Sequence, residues 1–148
     1  MKEIYIEFPE NLRFDAVRVL SNTFITDTSV QNRVAFEAYK QPFNYEAHKK
    51  SNQIAWVLTH IVTYCSVLKA VSNFTDFKFW IKSIDQNIVL LTEAKEWYLE
   101  NKVYSWQSAV TLTDLRLEQL AWIKAQFKAL KRSISDQEYV KVTTNLTK

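Results

Sequence analysis

Residues 51–71, SNQIAWVLTHIVTYCSVLKAV, decide the fold class. Ile54, Leu58, Ile61, Cys65 and Leu68 recur at alternating spacings of four and three, and Val57, Tyr64, Val67 and Val71 form a second apolar line beside them. Such spacings follow the 3.6-residue turn of a helix. Two adjacent lines give an arc so wide that this helix is expected to be central and touched from several sides.

Downstream, Phe77, Ile81, Ile84, Ile88 and Leu91 repeat the same spacing up to Asn101, with Thr75 and Asp76 suited to open that helix and Thr75 the expected cap. A further helix starts near Ser105. It reads in two registers, Val103, Trp106, Val110, Leu117 and Leu120 and then Leu120, Ile123, Phe127, Leu130 and Ile134, a three-residue slip that either overwinds the seam locally or marks where the helix changes neighbours. Three long helices are therefore expected near 45–72, 75–101 and 105–133. Upstream, Pro9 suits the first turn of a helix carrying Leu12, Ala16, Leu20 and Phe24, and another, with Val30, Val34 and Ala38, should stop before Pro42.

The two ends of the sequence change period. Ile4, Ile6 and Phe8 alternate with Glu3, Tyr5 and Glu7; Val140, Val142, Thr144 and Leu146 alternate with Lys141, Thr143 and Asn145. Alternation of period two is a strand signal. Ser135 to Glu138 has the form of a capping box, so one turn followed by a strand is expected there. Because a lone strand leaves backbone groups unpaired and chain ends often lie close, the two strands are expected to form a small antiparallel pair. The fold class is a mostly α bundle of four or five helices in one domain, 1–148, with no linker or internal repeat dividing it.

Composition narrows the chemistry. At 148 residues with 47% hydrophobic and 24% charged residues the chain matches an ordinary globular domain and can bury a core. It contains no glycine. Phosphate-cradling loops, dinucleotide-binding turns and nucleophile elbows need glycine where a Cβ would clash, so these motifs are excluded. Cys65 is the single cysteine, which rules out an internal disulfide and cysteine-rich zinc sites and suits a reducing, cytoplasmic setting. No apolar run approaches a membrane span and no secretory leader pattern opens the chain, so no membrane association is expected and the sequons at Asn73 and Asn145 read as chance.

Candidates for chemistry are few. His60 falls between Trp56 and Tyr64 at i−4 and i+4, the setting of a core-boundary histidine, and His48 beside Lys49 and Lys50 reads as a solvated helix start. Glu93, Glu96 and Glu100 lack the Glu-x-x-His partners of a di-metal bundle and read as an exposed face. No catalytic, metal or cofactor residue is assigned, and the chain is read as a non-enzyme.

Two surfaces remain. Trp80, Trp97 and Trp122 fall beside the apolar seams of their helices, and rings at such positions are enriched at binding hot spots. They point to an interaction module that binds itself, as a homo-oligomer, or a larger protein; the alternative is a second packing face inside the bundle. Lys124, Lys128, Lys131 and Arg132 share one side of the last long helix, opposite Ile123, Phe127 and Leu130. That stripe points to an accessory nucleic-acid binder, against the plainer reading that cations offset the dipole at a helix C-terminus. The net charge of +3 has a mild polarity, with residues 1–47 at −2, 48–102 at +2 and 103–148 at +3.

Overall fold

A computed structural model describes residues 1–16, 45–103, 105–135 and 139–146. The described elements are strand β1 (Lys2–Ile6), two 3-10 turns (Glu10–Leu12 and Phe14–Ala16), helices α1 (Tyr45–Lys69), α2 (Phe77–Asn101) and α3 (Trp106–Ser133), and strand β2 (Val140–Thr144). The three long helices expected from periodicity are present, each within a few residues of its expected bounds. The helix expected after Pro9 begins instead as the two 3-10 turns, with Arg13 between them at φ 59°. Its remainder and the helix expected before Pro42 lie outside the described residues, as does most of the capping box at 135–138.

Helix α1 buries most of both lines read from its sequence, with Cys65 and Val67 half-buried. Ile54, Leu58, Ile61 and Leu68 are buried, with Val57, Tyr64 and Val71 from the second line. On α2 the buried line is Phe77, Ile84, Leu91 and Tyr98, flanked by Asn87 and Ala94, while Ile81 and Ile88 are only half-buried. Its cap is Asp76, whose side chain accepts from the Phe79 N–H at 3.0 Å. Thr75, the expected cap, instead closes the preceding turn by accepting from the Ser72 N–H at 2.9 Å.

Helix α3 has no change of register. Its buried line runs Ala109, Thr113, Arg116, Leu120, Ile123, Phe127 and Leu130 in unbroken steps of four and three. The slip suggested by the apolar residues arises because Thr113 and Arg116 occupy core positions in the first half, leaving Trp106, Val110 and Leu117 beside the line, half-buried. Arg116 is fully buried; its Nη1 donates to Gln119 Oε1 at 2.9 Å, and Gln119 Nε2 donates to the Leu12 carbonyl at 2.7 Å. This internal strut ties the N-terminal segment to α3.

The terminal strands do pair, but in parallel rather than antiparallel, with Lys2 opposite Val140, Ile4 opposite Val142 and Ile6 opposite Thr144. Closeness of chain ends says nothing about direction. Lys2 Nζ donates to the Ser133 carbonyl at the end of α3 and Lys2 N–H donates to the Tyr139 carbonyl, so β2 starts beside the start of β1. Parallel strands need a crossover, and here the crossover is the helical body itself. Both strands turn their expected faces inward: Ile6 and Phe8 are buried, and Val140, Val142 and Leu146 are half-buried.

Asn145 finishes the pair with its side chain. The Phe8 N–H donates to Asn145 Oδ1 at 2.7 Å and Asn145 Nδ2 donates to the Phe8 carbonyl at 2.9 Å, so the amide takes the place of one more strand residue. At roughly 1 kcal/mol per net hydrogen bond, Asn145→Ala is expected to cost about 2 kcal/mol and to lower the thermal midpoint by roughly 5 °C. An unchanged midpoint in a calorimetric scan would show that the amide does not hold the two ends together.

Candidate functional site

Helices α2 and α3 form the most extensive helix pair in the described structure. Phe77 of α2 meets Phe127 of α3 edge to face at a centroid distance of 6.1 Å, and two ion pairs bridge the helices: Lys124 to Asp85 and Lys95 to Asp114, each at 2.6 Å. Near the start of α2 and the end of α3 the surface between them opens into a cleft of about 640 Å³. Lys78 and Lys82 line it from α2, and Lys128, Lys131 and Arg132 from α3, with Ile81 supplying an apolar patch. Asp85 is the one acid in the lining, and it is already engaged by Lys124.

Of the expected basic stripe, Lys128, Lys131 and Arg132 are exposed and share this cleft, whereas Lys124 is half-buried in its ion pair. The sequence reading did not include Lys78 and Lys82. The signal was there, because two lysines four residues apart occupy the first turns of a helix that has no acid in its first turn. Helix dipoles favour cations at the C-terminus and disfavour them at the N-terminus. Dipole compensation therefore accounts for Lys131 and Arg132 but not for Lys78 and Lys82.

The three tryptophans do not converge. Trp122 is half-buried under the N-terminal segment, its ring 4.8 Å from Phe8 and 5.2 Å from Phe14. Trp97 is half-buried with its ring edge to face on Tyr98 at 5.2 Å. Trp80 is half-buried in a groove between α1 and α2, where it belongs to a ladder of rings. Trp56 meets His60 at 5.6 Å, His60 meets Tyr64 at 6.4 Å, Tyr64 meets Trp80 at 6.0 Å and Trp80 meets Phe79 at 5.0 Å. The ladder is exposed at both ends, Trp56 at 63% and Phe79 at 55%, and anchored in the middle by the buried Tyr64.

That anchor is hydrogen-bonded throughout. Asn87 Nδ2 donates to the Tyr64 hydroxyl at 2.6 Å, and the same hydroxyl pairs with Ser83 Oγ at 2.6 Å. About three turns further along the helix pair, the Tyr98 hydroxyl donates to the Ala47 carbonyl at 3.0 Å and pairs with Ser51 Oγ at 3.0 Å. Burial holds the Tyr98 phenol above its ordinary range, the Ser51 contact opposing this in part. These bonded hydroxyls fix the α1–α2 spacing. Burial also pushes the Cys65 thiol up to about 12, with Lys69 opposing, so it stays protonated at neutral pH and lacks the thiolate character of a nucleophile. Glu93, Glu96 and Glu100 are exposed.

The fold and these surfaces define a class, a helical body closed by a two-stranded parallel pair from its ends and carrying a basic cleft and an aromatic groove on either side of α2. No protein-family model, curated protein or solved structure matches this chain. No described helix is long and apolar enough to cross a membrane.

Proposed function

We propose that this chain is a non-enzymatic binding module for nucleic acid, seating backbone phosphates in the cleft between α2 and α3. The observation that carries this reading is the gathering of Lys78, in the electrostatically unfavourable first turn of α2, and Lys82, one turn further on, in one cleft with Lys128, Lys131 and Arg132. Five like charges gathered in one concavity repel one another, and a bound polyanion removes that cost while releasing its own counterions. The one acid in the lining, Asp85, is neutralised by its ion pair with Lys124.

The expected result is binding that weakens steeply with salt. Five phosphate contacts on a single strand give a log–log slope of about −3.5, or roughly a hundredfold loss between about 50 and 200 mM salt. Fluorescence anisotropy of a labelled oligonucleotide reads this directly. The variant K78Q/K82Q/K128Q/K131Q, which keeps only Arg132, should cut the slope to about −0.7, and a slope unchanged by those four substitutions removes the cleft from the reading.

A second reading, an adaptor that docks a protein partner or a second copy of itself, is favoured by one observation, the exposure of Trp56 and Phe79. Of the three tryptophans first suggested for such a face, Trp80 lines the exposed groove, while Trp122 packs on Phe8 and Phe14 and Trp97 lies against Tyr98.

A further inference from the structure

The basic cleft and the aromatic groove are separated only by the outer ridge of α2. Lys78 and Lys82 line the cleft, and Phe79 and Ser83, the next residues in sequence, line the groove. Successive residues of a helix are rotated by about 100°, so the same two turns of α2 present cations to one side and a ring and a hydroxyl to the other. The groove beside Phe79 and Trp80 has a volume of about 310 Å³, and Thr59, Thr63 and Ser83 are interleaved with its rings. Further along α1, Asn52, Gln53 and Lys49 lie beside Trp56 in a second hollow of about 380 Å³. No carboxylate lines either hollow.

We infer that the ligand is single-stranded nucleic acid, its phosphates in the α2–α3 cleft and its bases carried over the α2 ridge to stack on Phe79 and along the groove towards Trp56. This inference rests on the nucleic-acid reading above and adds strand type and the residues that hold the bases. Single-strand binders combine a cationic track with aromatic platforms, because every base offers a π-face whatever its sequence. A duplex keeps its bases stacked on one another and cannot use such a platform. The cleft is complementary in charge to a polyanion, with Asp85 neutralised by Lys124, and the groove carries no negative charge to oppose one. A lipid surface would call for a continuous apolar band, whereas here hydroxyl and amide side chains that can pair with base edges separate the rings.

The test compares a labelled oligothymidylate of roughly a dozen nucleotides with an abasic oligomer of equal length, a duplex and vesicles of anionic phospholipid, using the full chain and the variants Phe79→Ala and Trp56→Ala. Both rings are exposed, so neither substitution removes a core contact, and unchanged thermal midpoints verify that the variants fold. The oligothymidylate is expected to bind at least tenfold more tightly than the abasic oligomer and the duplex. Each variant should lose about tenfold on the oligothymidylate and stay within about twofold on the abasic oligomer. Equal, salt-dependent binding of oligothymidylate and abasic oligomer, insensitive to both variants, overturns this inference and leaves the backbone reading standing. Tighter binding to duplex, or binding to vesicles alone, also overturns it, and loss of salt-dependent binding to every nucleic acid removes both readings together.

Discussion

Replacing Arg116 with Ala is expected to destabilise the protein by about 2–5 kcal/mol, the range for truncating a large buried side chain to Ala. The guanidinium is fully buried in the core line of α3, and burial holds it down to about 10, so it remains charged at neutral pH. Its Nη1 satisfies Gln119 Oε1, and Gln119 in turn satisfies the Leu12 carbonyl, which places the N-terminal segment over α3. Truncation to Ala opens a void and leaves the Gln119 oxygen without this donor. Arg116→Met refills most of the volume but not the hydrogen bond, and should cost only the desolvation of the stranded amide oxygen, about 1–3 kcal/mol. Urea unfolding of the two variants separates packing from hydrogen bonding. A loss under about 1 kcal/mol for Arg116→Ala would mean that the strut does not hold the N-terminal segment in place.

The second large effect is expected at Phe127. Its ring is fully buried on the line shared with Ile123 and Leu130 and meets Phe77 edge to face at 6.1 Å, one residue before the cleft lysine Lys128. Phe127→Ala deletes a whole ring from the α2–α3 interface, for which about 3–5 kcal/mol is the expected cost. The comparison is Phe79→Ala on the outer face of α2, where exposure leaves little to lose and a change within about 0.5 kcal/mol is expected. Chemical unfolding midpoints for the pair should therefore differ widely. Equal midpoints would contradict the assignment of Phe127 to the core and Phe79 to the surface. Because Phe127 and its partner Phe77 precede the cleft residues Lys128 and Lys78 in sequence, loss of the ring should also weaken polyanion binding, whereas Phe79→Ala should affect only ligands that carry bases.

Much of this fold was legible from local repeats. The spacing of Ile54, Leu58, Ile61 and Leu68 located α1 and its contacts on several sides, and the alternation of Ile4, Ile6 and Phe8 and of Val140 and Val142 located both strands and their inward faces. Reading failed where polar residues hold core positions. Thr113, Arg116 and Gln119 on α3 and Asn87 on α2 are buried through hydrogen bonds to distant partners or to their own helix, and a hydrophobicity pattern counts each of them as surface. The apparent slip in α3 came from this, as did the choice of Ile81 and Ile88 for the α2 seam over Asn87 and Ala94.

The candidate site divides in the same way. The stripe Lys124, Lys128, Lys131 and Arg132 is a property of one helix, and the 3.6-residue turn places it on one side without reference to anything else. Which of its members stay available is not such a property, since Lys124 is taken by Asp85 across the interface and Lys78 and Lys82 join from α2. Trp122 could be placed beside its seam from sequence, but that Phe8 and Phe14 cover it depends on the path of the N-terminal segment.

The sequence by itself thus determined the three long helices and the two strands, their approximate bounds and, for α1 and the strands, the side turned inward, together with the exclusion of glycine-dependent phosphate loops, because these depend on backbone geometry within a few residues. Only the tertiary structure decided the parallel direction of the terminal strands, the polar strut within the core and the meeting of two basic segments in one cleft. Those features depend on contacts between residues far apart in the chain, whose partners no repeat within a single element specifies.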